Sequence, residues 1–430
     1  MNGEDVKIGR FNPQWSKNIL TITKGTYKRK ILYKILNLID TEDNIIIYGP
    51  LGIGKTTLIG QVIDNLLNEG VEPSHILYIS LEEEGVLLED ELSYYERKIL
   101  KRKLSSVGDT VYLFMDEVQY YDNWNRIISE FKRDNEKVKI IATSSYIREK
   151  PENYTDIYIK PLSFREYLDF KGIYVDDVNL EIYDLRRKYV EYLDLSDIFD
   201  NYILTGGFPS LINIDNIRNL SIKARNEILN KIIYLMIPRT EKRREPYLIE
   251  RILRFIFMNM GEPLNFNMLS KSLNKDIRTV LNYVDIALRS FLVYEIRNKI
   301  RGGRGSKKLP KIYSYSPAYI HALYPDKLRL DDYIGRVIES IVALHIDAKY
   351  YWRKGNREIH ILWDRDGREM PIIVKYIKRL SKRDIKKIET TLKKIDMQHG
   401  IVLAKDTFEI VKRKRDIWIM PPWLFLLTLQ

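Results

Sequence analysis

The sequence predicts a multi-domain α/β protein that opens on a three-layer αβα sandwich around a parallel sheet. Three observations carry that expectation. Residues 45–63 read IIIYGPLGIGKTTLIGQVI, an apolar strand-like run that enters a glycine-rich turn and leaves it as a helix. Two further apolar runs follow, ILYISL (76–81) and VYLFMDEVQ (111–119), the second ending in two acids. After the helix-like NWNRIISEFKRD comes a fourth, KVKIIATSS (137–145). Strands that alternate with helices pair in parallel, because the helix carries the chain back to the start of the next strand.

The turn has the spacing GxxxxGK[ST] at Gly49, Gly54, Lys55 and Thr56, with Gly52 an extra glycine inside it. Glycines let the backbone wrap so that N–H groups point inward at phosphate oxygens. The N-terminus of the following helix adds its positive dipole end. A nucleotide cradle is therefore expected from Gly49, Pro50, Leu51, Gly52, Ile53, Gly54, Lys55, Thr56 and Thr57, with ATP as ligand. Lys55 would reach the β- and γ-phosphates and Thr56 would ligate Mg²⁺. At the end of VYLFMDEVQ, Asp116 is expected to share the Mg²⁺ shell and Glu117 to polarise the attacking water. Lys55 and Glu117 are thus the expected catalytic residues. A polar residue at the end of KVKIIATSS could sense the γ-phosphate, Ser145 or alternatively Ser144.

Composition bounds the rest. The chain has 430 residues, enough for several domains with their own cores. It has no cysteine, which excludes disulfides and thiolate metal sites. MNGEDVKIGRFNPQW is polar from the start, unlike a secretory leader, and IWIMPPWLFLLTLQ (417–430) is short for a membrane span and carries a Pro-Pro pair. The expectation is a cytoplasmic protein with a core-packed tail and no membrane partner. Abundant Ile, Lys, Glu, Arg and Tyr hint at a thermophilic source. The formal net charge of +12 fits either a solvated surface or a polyanion partner. Its location favours the second: RNKIRGGRGSKKLPK (297–311) holds no acid, and KRLSKRDIKK (378–387) and KRKR (412–415) are further basic stretches.

The order GPLGIGKTT, LFMDEVQYYDNW, KIIATSS, PLSFREYLDF, YILTGGFPSLI resembles a prokaryotic, largely archaeal family of AAA+-type P-loop ATPases, in the same broad clade as the STAND and origin-recognition ATPases. The resemblance runs from about residue 25 to residue 213, and PLSFREYL (161–168) and GGFP (206–209) are its discriminating parts. ATSS (142–145) departs from the Thr-Gly-Ser common in relatives. The resemblance implies an ATPase core over 1–170 and a helical lid over 171–245. The Gly206-Gly207 pair would either approach the nucleotide or make a tight turn. Arg133, Arg148 and Arg239 are equal candidates for an arginine finger.

Beyond the lid, YLIERILRFIFMNM, NFNMLSKSLN and KDIRTVLNYVDIALRSF read as three helices, and FLVYEIRNKI and KLPKIYSYS as two strands. That is the pattern of a winged helix over 246–318. The third helix would bury Ile277, Val280, Leu281, Val284 and Leu288 and present Arg278, Asn282 and Arg289 to DNA. The wing would add Arg301, Arg304, Lys307 and Lys308. A winged helix used for protein packing is the alternative.

The last segment, 319–430, resembles the restriction-endonuclease-like domain fused to such ATPases. Glu339 matches its helix acid and Lys375 its lysine. Relatives tend to show Glu-Val-Asp where this chain has Glu358-Ile359-His360, and Ile-Glu-Val-Lys where it has Ile372-Ile373-Val374-Lys375. Residues two apart in a strand share a face, so Ile373 replaces an oxygen ligand that Mg²⁺ would need. Asp364 or Asp366 would be substitutes near the hairpin turn. The expected function is an ATP-binding, ATP-hydrolysing protein that couples nucleotide state to DNA binding or assembly, with its nuclease fold degenerate. An ATP-regulated endonuclease and a STAND-like protein switch are the rivals, and assembly with further copies of the chain stays open.

Overall fold

The computed structural model describes residues 11–15, 23, 26–41, 44–133, 135, 137–148, 151–214, 216–242, 244–299, 305–325 and 331–429, the side chains of 305–308 and 331–332 excepted. Arg301 and Arg304 of the expected wing lie outside the described residues, as do the side chains of Lys307 and Lys308. The chain divides into two compact units, Met1–Lys160 with Arg239–Lys242, and Pro161–Pro238 with Arg243–Gln430. No helix of the described residues is long and apolar enough to cross a membrane.

The first unit is built on a five-stranded sheet. Its strands are β1 (Asn44–Tyr48), β2 (Ile76–Ser80), β3 (Val111–Asp116), β4 (Val138–Ser144) and β5 (Thr155–Tyr158), in the order β2-β3-β4-β1-β5. Every pairing is parallel. The interior strands are buried on both faces, which is why they read as unbroken Ile, Leu, Phe and Val runs rather than alternating ones. The helices Lys55–Asn68 and Trp124–Arg133 lie in the crossovers after β1 and β3. The register matters for function. β4 lies between β1 and β3, with Tyr48 opposite Ser144 and Met115 opposite Ala142. The glycine turn after β1, the acids after β3 and the serines after β4 therefore all emerge at the same sheet edge.

The second unit begins earlier than the expected lid. PLSFREYL (161–168) folds with it: Leu162 N donates to Gly207 O at 2.9 Å, and the Tyr202 hydroxyl donates to Leu162 O at 2.9 Å. Helices Ile182–Glu191 and Leu195–Thr205 follow, then a continuous helical stretch to Thr240 whose last residues belong to the first unit. Gly206 and Gly207 both have positive φ, and a Cβ on Gly207 would meet Leu162 O at 2.8 Å. This pair is a tight turn against the unit's own backbone.

Helices Pro246–Met258, Phe266–Leu273 and Ile277–Arg289 precede an antiparallel hairpin of β6 (Val293–Lys299) and β7 (Gly305–Ser314). The hairpin does not stand alone. β6 also runs parallel to β8 (Tyr350–Lys354), with Arg297 opposite Tyr350. One eight-stranded sheet therefore has the order β12-β13-β11-β10-β9-β8-β6-β7, where β9 is Arg357–Arg365, β10 Arg368–Lys375, β11 His399–Ala404, β12 Glu409–Lys412 and β13 Asp416–Met420. Helix Lys382–Lys394 connects β10 to β11 and buries Ile385, Ile388 and Leu392 against Ile359, Ile373, Val402 and Ile417. The tail ends in a helix, Pro422–Leu427, whose six residues are all buried.

The third helix differs from its expected stripe. It buries Val280, Tyr283, Val284, Ile286 and Ala287, while Ile277 and Leu281 are 39% and 43% exposed. Tyr283 takes the inward position, its hydroxyl accepting from Glu245 N at 2.8 Å, and that rotates Leu281 outward.

Candidate functional site

The site of the first unit is assembled from three strand ends. Gly54 has φ 99°, a left-handed conformation that only glycine adopts without strain, and it caps the helix Lys55–Asn68. Lys55 is the first residue of that helix and is buried. Its ammonium donates to Ser145 Oγ at 2.6 Å, to Gly49 O at 3.1 Å and to Pro50 O at 3.2 Å. It also pairs with Glu117 Oε1 at 3.1 Å. At the next residue, the Thr56 hydroxyl donates to Asp116 Oδ2 at 2.6 Å. The expected cradle, metal ligands, base and sensor thus converge in one place.

Two residues that the sequence reading passed over organise the acids. Thr143 donates its hydroxyl to Asp116 Oδ1 and accepts from Glu117 N at 3.0 Å, so one side chain positions both carboxylates. Gln119 donates to Glu117 Oε2, and its Oε1 accepts from Ser144 Oγ at 2.9 Å and from Ser145 N at 3.1 Å. Ser145, not Ser144, touches both Lys55 and Glu117, its hydroxyl donating to Glu117 Oε1 at 2.9 Å. The signal was present in ATSS and DEVQ as polar residues at the end of buried strands, a place where side chains need a purpose.

Electrostatics separate the two acids. Burial, with Glu117 next to it, pushes the Asp116 carboxyl above its ordinary range. Burial pushes Glu117 the same way, but the Lys55 ammonium and the bonds from Gln119 and Ser145 outweigh it and hold Glu117 below its ordinary range. Two buried carboxylates share one ammonium, so the pocket is short of positive charge. Hard oxygen donors with that deficit suit Mg²⁺.

The arginine candidates are sorted by place. Arg133 lines a cavity of about 310 Å³ with Leu104, Asp109 and Val111, beside the start of β3 and so at the opposite sheet edge. Arg148 pairs with Asp122 at 2.5 Å. Arg239 lies at 4.1 Å over the ring of Tyr120, three residues past Glu117, and donates to Glu82 O at 2.9 Å.

In the second unit, Glu339 and Glu358 pair with Lys311. Their oxygens lie 2.8 and 2.7 Å from the ammonium of Lys311, which β7 buries completely. Tyr313 also donates to Glu339. Burial would push Glu339 up, but Lys311 and His360 hold it below the usual carboxylate range. His360 Nδ1 accepts from Val374 N at 2.9 Å, which fixes a ring nitrogen as acceptor. Lys375 instead lies 3.4 Å from Asp384, and Ile373 is buried in the core under helix Lys382–Lys394. Lys311, placed in the basic wing by its sequence neighbours, is a buried counter-ion.

The remaining wing and helix residues are only partly free. Arg297 pairs with Glu295, Lys299 with Glu369, and Arg289 with Asp285 at 2.8 Å. Arg278 and Asn282 are exposed.

A phosphate-type glycine loop, two strand-end acids and a parallel sheet with the sensor strand between them define a P-loop nucleotide-hydrolase core. Residues 41–168 match the family model of an AAA domain, so this core is of the AAA type. Residues 196–332 match a domain of unknown function. The chain is 25% identical to uncharacterized protein MJ1544 of Methanocaldococcus jannaschii, with 99% of each chain covered. It is 23% identical to an uncharacterized protein of Haemophilus influenzae over 65% of this chain and 69% of that one. Among solved structures, the Walker-type ATPase paby2304 of Pyrococcus abyssi is similar at 13% identity and a TM-score of 0.42, covering 72% of this chain and 99% of that one.

Proposed function

We propose that the protein binds ATP with Mg²⁺, hydrolyses it, and couples its nucleotide state to DNA binding or assembly. The observation that carries the first part is the convergence of Lys55, Thr56, Asp116, Glu117 and Ser145 at one sheet edge. Thr56 and Asp116 would hold the Mg²⁺, which when bound supplies neutralisation of phosphate charge. Lys55 exchanges Glu117 for the phosphates. Glu117, released from that ion pair but still oriented by Gln119, accepts a proton from the attacking water at a carboxylate oxygen. The water oxygen bonds to the γ-phosphorus as the bond from that phosphorus to its bridging oxygen breaks, leaving ADP and phosphate. Ser145, bonded to both Lys55 and Glu117, reports which partner Lys55 has.

The C-terminal domain acts in this reading as a scaffold or DNA-backbone binder and not as a nuclease. The Lys311 ammonium stands between the two glutamates where a nuclease would need a divalent ion, and Ile373 offers no oxygen. One observation favours a protein partner on helix Ile277–Arg289 instead: Ile277 and Leu281 are exposed beside Arg278 and Asn282. Titrating the protein with labelled duplex and single-stranded DNA, with and without ATP, decides between these. The DNA reading expects salt-dependent binding that changes with nucleotide. No binding of either at low salt would leave the protein-switch reading.

A further inference from the structure

We infer that the C-terminal sheet carries a groove for single-stranded nucleic acid, with Trp352 as its stacking platform. The inference rests on the DNA reading above and moves its main contact away from the third helix and the wing. The groove encloses about 680 Å³. Trp352, Leu362 and Met397 form its apolar floor, and Lys354 and Lys394 stand on its rim. Helix Lys382–Lys394 covers the sheet over Ile359, Ile373 and Val402, while Trp352 on β8 is only partly buried at the margin of that core. An indole left half-open at the foot of a cationic helix is a natural seat for a nucleobase.

Charge points to the same occupant. Lys299 and Arg353 in the groove are matched by Glu369, Glu262 and Glu358, and Asp396 adds one more acid. Lys354 and Lys394 are exposed and make no ion pair with any described residue. From Lys394 the cationic surface continues. Lys387 and Arg383 lie about two and three turns back on the same exposed side of the helix, and they too have no acidic partner among the described residues. Arg357, which opens β9, donates to Thr390 O at 3.2 Å, so the helix that carries this row lies against the start of β9. Arg383 to Lys394 spans about 16 Å along the helix axis, longer than one nucleotide's phosphates need. A row of unpaired cations ending at a half-open aromatic fits a polymer that lays its backbone along the helix and one base in the groove.

The preference for a single strand follows from the floor. A base paired in duplex has its faces covered, so Trp352 could not stack on it. The outward side of helix Ile277–Arg289 has no such aromatic, and Arg289 there is already paired.

The test uses the full chain and a labelled 30-nucleotide oligothymidylate, read by fluorescence anisotropy against salt. Trp352→Ala should weaken binding by about 5- to 150-fold, the loss of one stacked base, and Trp352→Phe should recover most of it. Lys354→Ala with Lys394→Ala should flatten the slope of log affinity against log salt by about 1.4. ATP turnover without DNA should not change in the lysine variant. Oligothymidylate binding that ignores both variants but is lost in Arg278→Ala with Asn282→Ala overturns the groove and leaves the DNA reading standing. Binding of duplex alone overturns the groove as well. No binding of either nucleic acid overturns both.

Discussion

Glu117→Gln should tighten ATP binding while nearly abolishing turnover. The Lys55 ammonium is committed to Glu117, Ser145 and two loop carbonyls, and nucleotide must displace those partners. The amide is isosteric with the carboxylate but carries no charge. It keeps a carbonyl oxygen for Gln119 and removes the ion pair that holds Lys55 away from phosphate. A hydrogen bond to a charged group is worth about 1.5–3 kcal/mol, so relief of this one should raise ATP affinity about 10- to 150-fold. Loss of a negative charge beside the phosphates acts in the same direction. Turnover should fall at least about a hundredfold, because the positioned base is gone. Calorimetric titration with ATP and Mg²⁺ reads the first effect and phosphate release the second. Unchanged or weaker affinity would show that Glu117 does not compete for Lys55, and normal turnover would show that it is not the base.

Three further outcomes follow from the second unit. His321 is fully buried with neither ring nitrogen bonded, and burial lowers its pKa from 6.5 to about 4. Its depressed pKa means that the unfolded chain takes up the proton first, so stability is complete above pH 6.5 and falls by about 3 kcal/mol on the way to pH 4; denaturant melts of His321→Leu should show a flatter pH profile. Lys311→Met should cost about 3–5 kcal/mol of stability by stranding Glu339 and Glu358, and adding Glu339→Gln should restore part of it, as read from the same melts. Gly207→Ala should cost about 2–4 kcal/mol, because φ is 72° and the new Cβ would lie 2.8 Å from Leu162 O; ATP affinity should be unchanged, and a large loss of it would return Gly207 to the nucleotide site.

The nucleotide site was legible because its chemistry is local. Glycine spacing, Lys55, Thr56 and the Asp116-Glu117 pair each sit within one loop and announce themselves in order along the chain. What was hidden depends on strand order. Thr143 and Gln119 matter because β4 lies between β1 and β3, and no run of residues records that neighbour relation. The choice of Ser145 over Ser144 needed the same register. In the second unit the misreadings share a cause. Lys311 looked like part of a basic loop because its sequence neighbours are basic, yet its partners Glu339 and Glu358 are 28 and 47 positions away. β6 also pairs with β8 across more than fifty residues, a neighbour that the hairpin's own sequence does not record. Periodicity marked Ile277 and Leu281 as core, but Tyr283 took the inward position.

The central claim is that Lys55 is the phosphate-binding cation of an ATPase site, and calorimetric titration of Lys55→Ala with ATP and Mg²⁺ tests it most directly. The wild-type chain should bind, and the variant should keep its circular dichroism spectrum while losing measurable affinity, because no other described cation reaches Ser145 and Glu117. A folded Lys55→Ala chain that binds ATP as tightly as wild type would contradict the account.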